Sequence, residues 1–216
     1  HDLKSPVTRI RGMAEVTLTT AGDGAAAVEP YQGMAAGVIE ECDDLLEMIN
    51  TMLMISKTEA GVGAIARDDV DMADLVRGAC ELFAPVAEDK GVSLACRGPE
   101  RCTMVGDRHL LQRAVGNLLD NAVKYTPEGG SVDVFVSGIS GRWIEVVVED
   151  TGIGIQAADL PRIFDRFYRC DFSRSPAGAG LGLSLVKSIS DAHGGSVLVV
   201  SRPGEGSLFF LALPAG

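Results

Sequence analysis

The chain has 216 residues, 46% of them hydrophobic, and a formal net charge of −11. That length and apolar content suit one large domain or two small ones and exclude a disordered chain. The acidic balance argues against general nucleic-acid binding, which needs a basic surface, while a phosphate ligand needs only a few local cations. The first stretch reads as helical. Leu3, Val7, Ile10, Ala14 and Leu18 recur every three or four positions and make one apolar stripe. After a break at "TTAGDGAAAVEPY", a second stripe runs through Val38, Cys42, Leu45, Ile49 and Met52 at heptad spacing, flanked by an apolar row of Ile39, Leu46 and Leu53. A two-helix hairpin this apolar cannot bury both surfaces alone, so two copies are expected to pair into a dimeric four-helix bundle.

"SKTEAGVGAIARDDVD" reads as a linker, with Gly61 and Gly63 followed by acids. The pattern then changes. "MADLVRGACELFAPVAEDKG" is a helix stopped by Gly91, and "VSLAC" is a short strand. Asp107 is placed to cap the next helix, which ends at Thr126-Pro127. "SVDVFVSG" and "RWIEVVVED" alternate as paired antiparallel strands do, "GLGLSLVKSISDAHGG" is a helix with a glycine stop, and "SVLVVS" and "SLFFLALP" are two final strands. Helices and antiparallel strands in this order predict an α+β sandwich. The five cysteines, at 42, 80, 96, 102 and 170, include no C-x-x-C pair, which argues against zinc and for reduced thiols in a cytoplasmic setting. No signal peptide and no apolar run long enough for a bilayer is seen, so no membrane contact is expected within the chain. A membrane anchor in a longer parent protein stays open.

One helix carries an unusual polar stripe. In "NLLDNAVKYTPEGG", Asn117, Asn121 and Lys124 fall on one face by their spacing of four and three residues. Asparagine is a mediocre helix former, and nothing in packing asks for it. Three further stretches follow: "EDTGIGI" at 149–155, "FDRFYR" at 164–169 and "GAGLGL" at 178–183. Each alone is a weak signal, but their order and spacing form a set. The chain resembles the sensor histidine kinases of two-component signalling, with their N, G1, F and G2 boxes in sequence, and the opening "HDLKSPVTRI" resembles their H box. The resemblance covers nearly the whole chain.

The residues agree with that chemistry. Asn121 offers a neutral amide oxygen, a suitable ligand for a Mg²⁺ that also holds phosphates, and the resemblance assigns it that role. Asn117 and Lys124 flank it by one turn, where the lysine meets phosphate charge, and Tyr125 offers a flat ring near base or ribose. Asp150 ends a strand, where its carboxylate can accept from the exocyclic amine of adenine, and the resemblance makes it the adenine reader. Gly152 and Gly154 let backbone approach the ring. In "FDRFYR" the aromatics suit a lid anchor, and either Arg166 or Arg169 suits the terminal phosphate. Gly178, Gly180, Leu181 and Gly182 lead into a helix N-terminus, a ready phosphate site. No Gly-Lys-Ser/Thr follows, so this is not a P-loop. Ala179 stands where relatives often have Thr or Ser, which removes a hydroxyl contact but leaves the backbone cradle. His109, His193 and Cys170 take bland structural readings.

His1 lies opposite the Leu3-Val7-Ile10-Ala14 stripe and so faces solvent. The resemblance makes it the acceptor of the γ-phosphoryl group of ATP, with Asp2 orienting the imidazole or taking its proton. Pro6 should bend the helix just past it. A chain that starts at His1 is expected to bind ATP but to label poorly, because a first helical turn frays. Ser5 stands where relatives that dephosphorylate their partners carry Thr or Asn, so a weak phosphatase activity through its hydroxyl is expected. The reading that results is a dimerisation and phosphotransfer hairpin over 1–64 and an ATP-binding catalytic domain over 65–216. It phosphorylates His1 from ATP with Mg²⁺ and passes the group to an aspartate of a response regulator receiver. A non-catalytic ATP-gated scaffold and a plain ATPase of the same superfamily are the alternatives. Neither needs a histidine–acid pair on an exposed helix face.

Overall fold

The computed structural model describes residues 10, 12–13, 16, 28–60, 66–139, 141–170 and 179–216, and the chain forms two compact units, 1–54 and 55–216. The helix expected over 3–18 lies outside the described residues except at Ile10, Gly12, Met13 and Val16, which are helical. Helix α1 spans Val28–Glu59, starting in the first unit and ending in the second. Within the first unit Met13 lies against Gly37 of α1, its sulfur 2.9 Å from where a Cβ would stand. The flanking row of α1 is exposed, with Ile39 at 60%, Leu46 at 57% and Leu53 at 53% of their surfaces open to solvent.

The second unit contains strands β1 (Asp68–Asp71), β2 (Ser93–Arg97), β3 (Thr103–Gly106), β4 (Ser131–Ile139), β5 (Trp143–Asp150), β6 (Ser196–Arg202) and β7 (Gly206–Pro214). It also contains helices α2 (Met72–Asp89), α3 (Arg108–Tyr125) and α4 (Gly182–Ala192). The main sheet has the order β2-β4-β5-β7-β6. Helix α3 lies between α2 and α4, and all three helices contact the sheet. Strand faces alternate as an α+β sandwich requires: Val132, Val134 and Val136 of β4 and Ile144, Val146 and Val148 of β5 are buried. From α3, Leu111, Ala114, Val115, Leu118 and Leu119 close the same core.

Two features depart from the strand reading. The linker expected over 56–71 is helical as far as Glu59, and its last four residues are strand β1, paired antiparallel with β3. Both strands are four residues long, and β1 reads Asp-Asp-Val-Asp, so neither carries an apolar alternation to announce it. Strand β2 pairs parallel with β4, whereas the other partners in the main sheet are antiparallel. The connection between β2 and β4, strand β3 followed by helix α3, is the crossover that brings the chain back parallel at that edge.

Caps fix the helices that carry the site. Asp71 Oδ1 accepts from Ala73 N at 3.1 Å and from Asp74 N at 3.4 Å to start α2, and it also accepts from Cys102 N at 3.0 Å. The Cys102 bond, with the two cap bonds, holds the Asp71 carboxyl below the usual carboxylate range against the opposing effect of burial. Asp107 Oδ1 caps α3 through His109 N at 3.0 Å and Leu110 N at 3.1 Å. At the other end of α3, Thr126 closes the helix, and Lys90 Nζ donates to Val123 O at 2.8 Å. His193 is a structural staple: its Nε2 accepts from Asp107 N at 3.0 Å while Nδ1 lies 2.8 Å from Ile189 O. That pair of partners assigns the proton to Nδ1. His109 is exposed, and Cys170 is half-buried and in no disulfide.

Candidate functional site: a nucleotide cleft

The polar stripe of α3 sits at the rim of the core. Asn117, Asn121, Lys124 and Tyr125 are half-buried, while the neighbouring Leu118, Leu119, Ala122 and Val123 are buried. The two asparagines differ. Asn117 Nδ2 donates to Arg113 O at 2.8 Å, and its Oδ1 occupies the space over Gly182, 2.6 Å from where a Cβ would stand. The Asn121 side chain makes no hydrogen bond to protein among the described residues, while its backbone lies within α3. Burial holds the Lys124 ammonium below its usual pKa, with Arg169 and Lys90 pushing the same way and Asp120 opposing. Its Nζ lies 5.4 Å from the centre of the Tyr125 ring.

Asp150 ends β5 with only 5% of its surface exposed. Its Oδ1 accepts from Gly152 N at 2.8 Å. Ser207 stands directly across the β5–β7 ladder, close enough for its backbone N–H and hydroxyl to draw the carboxyl pKa down. Burial pushes the Asp150 carboxyl up, the three donors pull it back, and Glu149 adds a further upward push. The loop beyond is clamped on both sides. Ile153 N donates to Tyr125 O at 3.2 Å, and Gly204 N donates to Ile153 O at 2.8 Å. A Cβ on Gly152 would come within 2.6 Å of Tyr125 O, and one on Gly154, whose φ is +67°, would run into Arg202 O. Both glycines are therefore required by close approach of backbone to backbone.

The third side is formed by "FDRFYR" and the start of α4. Phe167 N donates to Gly180 O at 2.9 Å, and Phe167 is the one non-glycine residue with positive φ among the described residues, at 62°. The two arginines separate in space. Arg166 is ion-paired with Glu59 in the last turn of α1, whereas Arg169 is close enough to Lys124 to depress its pKa. Leu181 occupies the N-cap of α4 and supplies no capping side chain, so the first N–H groups of the helix remain for another acceptor. The sequence-derived residues Asn117, Asn121, Lys124, Tyr125, Asp150, Gly152, Gly154, Arg166, Arg169, Gly180, Leu181 and Gly182 thus belong to three adjoining segments of the second unit. His1, Asp2, Ser5 and Gly178 lie outside the described residues. Sequence reasoning missed Ser207: it stands in an ordinary strand pattern, and only the β5–β7 register brings it to Asp150.

The three adjoining segments, a helix rim, a buried carboxylate and a helix N-terminus, define the class as a nucleotide-binding α+β sandwich. Residues 106–216 match the family model "Histidine kinase-, DNA gyrase B-, and HSP90-like ATPase", and residues 1–61 match "His Kinase A (phospho-acceptor) domain". The chain belongs to the sensor histidine kinase family. It is 36% identical over 217 residues to the sensor-like histidine kinase SenX3 of Mycobacterium bovis, a match covering 100% of this chain and 52% of the relative. It is 34% identical to the sensor histidine kinase CusS of Escherichia coli, covering 100% of this chain and 44% of the relative. Among solved structures, full-length ShkA in complex with AMPPNP superposes with a TM-score of 0.76 at 31% identity, covering 100% of this chain and 44% of that one. The chain thus spans about half the length of the curated relatives it matches. No helix among the described residues is long and apolar enough to cross a membrane.

Proposed function

We propose that the chain is the kinase core of a two-component sensor: 1–64 serves as dimerisation and phosphotransfer hairpin and 65–216 as catalytic domain. The observation that carries this reading is the convergence of the α3 stripe, the Asp150 turn and the α4 N-terminus on one cleft, downstream of a phosphoacceptor segment. Asp150 receives the exocyclic amine of adenine, and the Gly152–Gly154 backbone lies against the ring. Lys124, Arg169 and the α4 N-terminus meet the phosphates, with Arg166 engaged by Glu59. Asn121 fits a Mg²⁺ that takes its other ligands from phosphate and water, since its amide has no protein partner among the described residues and no cluster of acidic or imidazole ligands competes for the ion among them. When bound, that ion neutralises charge on the transferring group.

A ring nitrogen of His1 attacks the γ-phosphorus, the bond to the bridging oxygen breaks, and ADP leaves. Asp2 takes the proton that the ring gives up. His1 then passes the phosphoryl group to an aspartate of a response regulator receiver, and Ser5 supports a slow hydrolysis of that aspartyl phosphate by holding the attacking water. Two copies pair through the open row of α1. The setting of this core is cytoplasmic, with any anchor carried by flanking segments of a parent protein. Incubation with γ-labelled ATP tests the reading. Label on the protein, lost in His1→Gln, is expected. Free phosphate without protein label points to a plain ATPase, and binding without turnover points to a scaffold.

A further inference from the structure

The last turn of α3 carries Lys124 and Tyr125, and its four final carbonyls have no partner within the helix itself. Each finds one outside it. Ala122 O accepts from Thr126 N at 3.1 Å and from Thr126 Oγ1 at 2.7 Å. Val123 O cannot take the next backbone donor, because Pro127, four residues on, has no N–H. Lys90 takes that place: its Nζ donates to Val123 O at 2.8 Å and also to Lys124 O. Tyr125 O accepts from Ile153 N at 3.2 Å. Lys90 comes from the end of α2, and backbone bonds hold it there. Lys90 N donates to Val86 O at 3.2 Å, Gly129 N donates to Gly91 O at 2.8 Å, and Ser93 N donates to Gly130 O at 2.9 Å. The turn after α2 is thus stapled to the turn after α3, and the half-buried Lys90 is left pointing its charge at a helix C-terminus, where the helix dipole favours a cation.

We propose that Lys90 is a positioning residue for phosphate binding: by holding the carbonyls of Val123 and Lys124 it fixes the last turn of α3, and with it the Lys124 side chain. The proposal rests on the reading of Lys124 as a residue that meets the phosphates. An ammonium that donates to two carbonyls makes charge-assisted bonds, which are stronger than those between neutral groups. Thr126 serves Ala122 O and Ile153 serves Tyr125 O, and neither donates to the two carbonyls between them. Without the ammonium, those part-buried carbonyls lose their donor and turn toward water, and the turn loosens at Val123 and Lys124. Tyr125 O keeps Ile153 N, so the loop beyond Asp150 stays in place. The consequence is selective. Contact with phosphate suffers, because misplacing a binding group lowers its worth, while contact with the base is preserved.

The test is competition of ATP and of adenosine against a fluorescent ATP analogue on the intact chain, with the affinity of the analogue measured separately for each variant. Adenosine has the base and ribose without phosphates, so the ATP-to-adenosine affinity ratio reports the phosphate contacts and is insensitive to a general loosening of the fold. Lys90→Met is expected to weaken ATP about tenfold, the worth of about one hydrogen bond from a charged group, and to leave adenosine nearly unchanged. Lys90→Arg, which keeps the charge and the donors, restores the parent ratio. Amide hydrogen exchange reads the turn itself: the Lys124, Tyr125 and Thr126 amides should exchange faster in Lys90→Met and at the parent rate in Lys90→Arg. Thermal melts confirm that each variant is folded, and Lys90→Gln replaces the methionine variant if that one is not. An unchanged ratio in Lys90→Met, or an equal loss for ATP and adenosine, overturns the proposal. So does a fallen ratio with parental exchange in the turn, which is the mark of a charge acting at a distance. Lys124→Ala separates the two layers: a parental ratio there means that the phosphate reading of Lys124 fails, whereas a fallen ratio there beside a parental ratio in Lys90→Met overturns only the role of Lys90.

Discussion

Helices α1 and α3 have comparable apolar patterns and opposite fates. In α3, Leu111, Leu118 and Leu119 are fully buried between the sheet and the flanking helices. In α1, the flanking apolar row Ile39, Leu46 and Leu53 stays more than half exposed. Period and hydrophobicity are the same in kind; what differs is whether another layer of the chain arrives to cover the stripe. The difference divides the labour of the molecule. The ATP-binding unit is sealed by its own chain and can hold a precise polar rim, while α1 keeps an apolar surface uncovered within the single chain.

The comparison is most sharply tested in the core. Leu118→Ala, on the buried side of the stripe that bears Asn117 and Asn121, is expected to destabilise the second unit by about 2–5 kcal/mol, as buried leucine truncations do. The same change at Leu46, which lies outside the second unit and is exposed within the single chain, should cost the second unit under about 1 kcal/mol. Denaturant unfolding of both variants decides this, and equal losses would break the distinction. Next in size, Asn121→Asp and Asp150→Asn are each expected to reduce autophosphorylation on the order of 10²-fold without unfolding the protein, since each removes one preorganised contact to nucleotide or metal. Either variant with parental labelling loses its assigned role. On the proposed pairing, Leu46→Glu is expected to shift the chain from dimer to monomer in sedimentation, with ATP binding retained, because it places charge in the exposed apolar row of α1. Asp71→Ala should cost about 1–2 kcal/mol, since it removes the α2 cap and its bond to Cys102. That stabilisation is present above the unfolded carboxylate pKa and is lost as the pH falls through the lowered folded value.

The smallest effect has the opposite sign. Asp150 has a raised pKa because burial disfavours its charge, so its ionised form costs stability above the raised value, and that cost fades as the pH falls toward the unfolded value. ATP binding needs the ionised acceptor and should weaken over the same interval. A nucleotide titration and a thermal melt, run together from neutral to mildly acid pH, are expected to show affinity falling while the contribution of this group to apo stability improves. Lys124, lowered mainly by burial, gives the alkaline counterpart: affinity should fall as the pH rises through its depressed value.

Much of this protein is determined locally. The caps at Asp107 and Thr126, the alternation in β4 through β7, and the ordered set of motifs from Asn117 to Gly182 are all written in short stretches whose physics acts over a few residues. Those stretches suffice for the fold class, the family and most of the cleft. What the tertiary structure alone decided is non-local. The strand β1 inside an expected linker, the parallel edge at β2, and the placement of Ser207 opposite Asp150 depend on register between segments far apart in sequence. So does the separation of Arg166, paired with Glu59, from Arg169 beside Lys124. A strand residue carries no mark of which neighbour it will face, because side-chain direction repeats every two residues whatever the partner. Only the packed sheet chooses the pair.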